Sequence, residues 1–148
     1  MKNEWREVAM ADQELSQVPW TDVWYSEALE LRVNWRLRVT NEAESKRFAE
    51  QAITLLDRIA IMSPTTSLFG LRTRAGVIAG RNDVVIESLS NYARLATGLV
   101  RAGVSTPQTF HADAKALMQI LDTMPGKPGI STERIAEVRA EIAPLLPN

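Results

Sequence analysis

A chain of 148 residues that is 45% hydrophobic and 24% charged can bury one core and is too apolar to stay disordered. Its formal net charge of -1 gives no overall attraction to nucleic acid or to an acidic membrane surface. Having no cysteine, it has no disulfide, no thiolate zinc site and no cysteine nucleophile, and no apolar run approaches the ~20 residues that span a bilayer.

The opening MKNEWREVAM is too charged for a secretory signal, which leaves either a cytoplasmic protein or a piece of a longer chain. A first helix is predicted from about Trp5 to Leu15, stopped before Pro19. In the second, Trp24, Ala28, Leu31 and Trp35 recur at steps of four, three and four, with Thr21 as cap and Asp22 at the positive end. Asn41 and Glu44 have the spacing of a capping box, so a third helix starts there. Its apolar face is Phe48, Ala52, Leu55, Leu56 and Ile59, and Pro64 stops it. Ser67 is the expected cap of a fourth helix with Leu68, Leu71, Ala75 and Ile78 on one face. Gly80 suits the left-handed residue that closes it, and Asn82 or Asp83 the next cap. A fifth helix carries Val85, Leu89, Tyr92, Ala96 and Leu99. Thr106-Pro107 opens a sixth with Phe110, Ala114, Leu117 and Leu121. The loop Pro125 to Gly129 follows, then Ser131 or Thr132 restarts a seventh with Ile135, Val138, Ile142 and Leu145.

The reading is all-α: about seven helices in one domain, residues 1–148, with no alternating strand-like run. Short loops make neighbours antiparallel. Displacing the chain by about 34 residues, the tetratricopeptide period, sets Leu55 on Leu89, Ile59 on Ala93, Leu37 on Leu71 and Trp35 on Phe69. The register drifts after Gly103. Helical hairpins with degenerate ends and a non-repeating helical bundle both remain open on the residues alone.

LLDRIAIMSPTTSLFGLRTRAGVIAGRND, Leu55 to Asp83, and VIESLSNYARL at 85–95 carry a further signal. The Ser63-Pro64 turn, the Leu71-Arg72 pair and the Gly80-Arg81-Asn82-Asp83 turn follow ELRVNWRLRVTNEAESKRFAEQA. Together they resemble the tetratricopeptide-like segment in the C-terminal, extracytoplasmic domain of bacterial O-antigen polymerases and ligases and related protein O-oligosaccharyltransferases. The resemblance covers about Trp20 to Leu95; Val85 departs from it, standing where such a helix usually has a small residue. It implies a right-handed stack of helical hairpins. It also implies the soluble tail of a multi-span membrane enzyme that moves a lipid-linked glycan, on the periplasmic side of the inner membrane. The chemistry of that class lies in the membrane part, so no catalytic residue is carried over and this chain alone is not an enzyme. The alternative is a free-standing cytoplasmic tetratricopeptide-like adaptor for another protein.

Other chemistry is sparse. His111 is the only histidine, and Asp113 two residues on points away from it on a helix. GLVRAGVS, Gly98 to Ser105, has P-loop glycine spacing but Val104 in place of the phosphate-binding lysine. There is no GxSxG, and no dinucleotide fingerprint; no cofactor or metal is implied. Glu133, Glu137 and Glu141, at steps of four, read as a solvated face.

The uneven feature is aromatic. Trp5, Trp20, Trp24 and Trp35 all lie in the first quarter, with Tyr25 among them and Arg32, Arg36 and Arg38 nearby. Aromatic faces stack on sugars or arginine, and guanidinium forks grip phosphates. Trp20, Trp24, Tyr25, Arg32, Trp35 and Arg36 are therefore the candidate binding residues. The contacts expected are the membrane part of the parent, another protein or a lipid-linked glycan, with no nucleic acid and no insertion of this chain into the bilayer. The competing reading buries Trp24, Ala28, Leu31 and Trp35 as the seam of the second helix, with Arg32 and Arg36 as its solvated flank.

Overall fold

Asn41 shows how the chain ends one helix and starts another. Its backbone is extended (φ -62°, ψ 116°), and its carboxamide oxygen accepts from the Ala43 N–H at 3.0 Å. The other half of the expected capping box is replaced. Glu44 pairs with Arg47 at 3.2 Å, and the carboxylate that accepts the Asn41 N–H, at 2.9 Å, is that of Glu4. Glu4 also takes the Thr40 N–H and hydroxyl, so the start of the first helix caps the turn before the third.

The computed structural model describes residues 4–146. Seven α-helices follow one another: α1 Glu4–Leu15, α2 Tyr25–Leu37, α3 Glu42–Met62, α4 Thr66–Ala79, α5 Asn82–Arg101, α6 Pro107–Leu121 and α7 Thr132–Ile142. A short 3₁₀ turn, Ala143–Leu145, ends them. No strand occurs among the described residues. The chain divides into two compact units, one of residues 4–64 with Ala75–Gly80, the other of Thr65–Arg74 with 81–146.

In the first unit α2 and α3 pack as consecutive neighbours. Leu29, Val33 and Leu37 of α2 are buried, as are Phe48, Ala52, Leu56 and Ile59 of α3. Val8, the one buried residue of α1, meets Val39, Phe48 and the half-buried Trp35. The predicted face of α3 is borne out. That of α2 is not: of Trp24, Ala28, Leu31 and Trp35 only Ala28 is buried. Trp24 stands before the first helical turn, at 65% exposure, and Leu31 is 50% exposed. The helix is rotated so that the 29, 33, 36, 37 edge turns inward, with Arg36 on the buried side. Thr21 is not the cap; the Asp22 carboxylate takes the Trp24 N–H at 2.8 Å.

The second unit is built around α5. Val85, Leu89, Tyr92, Ala93 and Ala96 pack with Phe110, Ala114, Leu117 and Leu121 of α6, and with Ile135, Val138 and Ile142 of α7. Each large apolar side chain so buried contributes about 1.5–3 kcal/mol. Tyr92 and Phe110 meet edge to face, ring centroids 6.3 Å apart. The Leu71-Arg72 pair is split: Arg72 turns inward and donates to the Ser88 hydroxyl at 3.0 Å, facing Glu87 at 3.6 Å.

Glu141 is no solvated charge. It accepts from the Ser90 hydroxyl at 3.0 Å and from Arg94 at 2.7 Å, tying α7 to α5, while Glu137 pairs with Arg134 at 3.0 Å. Ser131 caps α7 by accepting the Arg134 N–H at 3.1 Å. Thr106 and Pro107 occupy the cap and first-turn positions expected of them. The cap of α4 is Thr65, whose hydroxyl takes the Leu68 N–H at 3.1 Å, rather than Ser67. Arg81, not Asn82 or Asp83, stands at the cap of α5; its guanidinium holds the Asp83 carboxylate at 2.9 Å and lowers its pKa. Gly80 closes α4 at φ +69°, as its position predicts.

Candidate interaction surface on α1 and α2

α1 carries four carboxylates, Glu4, Glu7, Asp12 and Glu14, and the fold divides their work. Glu4 caps the α2–α3 turn. Asp12 faces α2, where it accepts from Arg32 Nε at 2.9 Å and from Arg36 Nη1 at 2.8 Å, with Arg36 Nη2 closing the fork on its other oxygen. Arg36 Nε donates to Gln51 of α3 at 3.0 Å, and its Nη1 also reaches the Arg32 carbonyl at 3.1 Å. Arg36 is 6% exposed. Burial alone would raise the pKa of Asp12, but the hydrogen bonds and charges of Arg36 and Arg32 outweigh it and hold the carboxyl below its ordinary value of 3.8. Buried charges need such partners, and here each nitrogen of the inner guanidinium donates at least one hydrogen bond. The reading of Arg32 and Arg36 as a solvated flank is thereby corrected: Arg36 joins α1, α2 and α3, and Arg32 ties α2 to α1 through its Nε.

The surface beside this clamp is apolar. Glu7, Met10, Ala11 and Glu14 of α1 and Leu31 and Trp35 of α2 line a cleft of about 320 Å³. Met10 is 66% exposed. A second cleft, of about 430 Å³, lies beyond the same Glu7 and Trp35, where Arg38 sits 5.4 Å from the centroid of the Trp35 ring. Trp20 and Val23, in the segment between α1 and α2, are 76% and 85% exposed. Of the six sequence-predicted residues, then, Trp20 and Trp24 are on the surface. Tyr25 is half-buried at the start of α2, Trp35 forms a cleft wall, and Arg32 and Arg36 are structural. Asp12, Met10, Glu7, Glu14 and Leu31 were missed as surface or clamp residues. They matter because α1 packs on α2, and nothing in the sequence of either helix specifies that pairing.

In the second unit a shallower groove of about 550 Å³ has Gly70, Leu71 and Arg74 of α4 on one side and Asp113 and Leu117 of α6 on the other. The Tyr92 hydroxyl donates to Asp113 at 3.3 Å, and burial, then the Asp113 charge, raises its pKa well above 10.0. Asp113 is thus turned to Tyr92, while His111 is exposed. Among the described residues no cluster of three or more His, Asp or Glu could hold a metal, and no helix is long and apolar enough to cross a membrane. Compared with protein-family models, curated proteins and solved structures, the chain matches none of them.

Proposed function

We propose that this chain is a non-catalytic docking domain whose working surface is the α1–α2 face. One observation carries the reading. Met10, Leu31, Trp20, Val23 and Trp24 are half or more exposed in the first unit, while Asp12, Arg32 and Arg36 between the same helices are engaged with one another. Keeping large apolar side chains in water is unfavourable, and contiguous exposed patches mark interaction sites. Tryptophan is also the residue type in which binding energy concentrates. The cleft of Met10, Leu31 and Trp35 has no arginine or lysine in its lining and so offers no cationic fork to a pyrophosphate-linked glycan, which favours a protein partner.

The resemblance over Trp20 to Leu95 supplies the setting: the extracytoplasmic domain of a membrane glycan ligase or polymerase, its hairpins stacked as in tetratricopeptide repeats, docking on the membrane part of its own parent. A photo-crosslinking residue at Leu31, with a control at exposed Lys115, tests this in producing cells. Adducts from Leu31 to a membrane-embedded segment of the same gene product support the reading. Adducts to a separate protein turn the domain into a free-standing adaptor, and equal labelling from Lys115 removes the surface from consideration.

A further inference from the structure

The cleft between α1 and α2 is lined by two acids and no base. Glu7 and Glu14 are exposed, line the cleft with Met10, Leu31 and Trp35, and have no hydrogen-bond or ion-pair partner among the described residues. They stand seven residues apart on one helix, which places them on the same side about 10.5 Å from each other. Both walls are helices whose backbone groups are bonded internally, so no strand edge is open for pairing. What such a cleft complements is a third helix. α1 runs twelve residues, about 18 Å, which matches roughly three turns of an occupant.

We infer that the α1–α2 cleft seats a basic amphipathic helix of about three turns, its apolar side on Met10, Leu31 and Trp35 and its lysines or arginines, spaced about seven residues, against Glu7 and Glu14. This rests on the docking reading above and names the partner's chemistry. The apolar contacts supply affinity, and the two carboxylates select sign and register, as charges at an interface rim do. A second copy of the chain is disfavoured, because a two-fold contact through this face would set the same glutamates against each other. An anionic lipid surface is repelled by them.

The test is a displayed library built on an alanine-rich helix of about 18 residues, one face randomised, selected on the 148-residue chain. The selected helices should carry Lys or Arg about seven positions apart beside large apolar residues. The consensus peptide should bind the Glu7→Lys, Glu14→Lys chain about tenfold or more weakly, and its glutamate-substituted twin should show the reverse order. Met10→Glu with Leu31→Glu should abolish both, with an unchanged circular dichroism spectrum. Selection of neutral or acidic helices, equal binding to the lysine-substituted chain, or no selected helix at all overturns the inference. So does saturation of the face by self-association or by phosphatidylglycerol vesicles. A Leu31 adduct to a non-basic partner leaves docking standing and removes only the charge rule, whereas a face without adducts removes docking itself.

Discussion

Asp12 and Arg36 meet across α1 and α2 with both carboxylate oxygens engaged and the guanidinium nine-tenths or more out of water. Removing one partner of such a pair leaves the other buried and uncompensated, which costs about 3–5 kcal/mol in deep sites. Asp12 keeps a wet edge, so Asp12→Ala is expected to cost about 2–4 kcal/mol. Replacing both, Asp12→Leu with Arg36→Met, should recover most of that. A urea midpoint in Asp12→Ala equal to the wild type's would show that the clamp is dispensable. The Arg32→Ala, Arg36→Ala pair, silent if these arginines were a solvated flank, is now expected to destabilise.

The same carboxylate sets an acid limit. Its folded pKa lies below the ordinary 3.8, so its contribution is complete above that value and is lost as pH falls through the lower, folded one. Urea midpoints measured from pH ~5 to pH ~2 should fall more steeply in the wild type than in Asp12→Asn. Parallel pH profiles would mean that Asp12 titrates alike in both states.

Tryptophan burial gives a third forecast. Trp24 is mostly in water and its removal to alanine should move stability by less than about 0.5 kcal/mol. Trp35 packs on Val8, Val39 and Phe48 with one face in the clefts, so Trp35→Ala should cost about 1–3 kcal/mol, short of the ~3–5 of a fully buried ring. Acrylamide should quench the fluorescence lost in Trp24→Ala more readily than that lost in Trp35→Ala. Equal costs for the two alanine variants would contradict the rotation of α2.

Those forecasts differ from the periodic reading of α2 for a physical reason. Apolar spacing located α2 to α7, and five of the six faces it names are wholly or partly buried: Phe48 to Ile59 in α3 and Phe110 to Leu121 in α6 are buried as their steps predict. In α2 the polar residue Arg36 goes inside because Asp12 and Gln51 satisfy it, and those partners lie 24 and 15 positions away. Caps were legible at Asn41 and Ser131, where the side chain bonds its own turn; at α4 neighbouring hydroxyls compete and Thr65 caps in place of Ser67, and the Glu4 cap was illegible because it comes from a remote helix. The candidate surface was half legible for the same reason: tryptophan density showed in the chain, but the acidic rim needs α1 laid against α2.

Glu141 and Glu133 look alike in sequence and differ in the fold. Glu141→Ala leaves the buried Ser90 hydroxyl without its acceptor and breaks the Arg94 contact, for about 1–2 kcal/mol. Glu133 is exposed, and Glu133→Ala should stay within about 0.5 kcal/mol. The difference between the two midpoints is the measurement, and none would place Glu141 back on a solvated face.

Gly80 separates backbone strain from packing. It closes α4 at φ +69°, its N–H bonded to the Val77 carbonyl at 3.2 Å, and a Cβ added there would meet no atom within 4 Å. Nothing would be crowded, so any cost of a side chain is the cost of holding it at positive φ. An L-residue spends about 1–2 kcal/mol there, more when β-branched, while asparagine tolerates the region best. The expected order of stability is therefore Gly, Asn, Ala, Val, with Gly80→Val about 1–2 kcal/mol below the wild type. Urea midpoints of the four proteins read it directly. An unchanged midpoint in Gly80→Val would mean that the turn relaxes to negative φ at no cost, and then the stop between α4 and α5 is held by the Arg81–Asp83 pair instead.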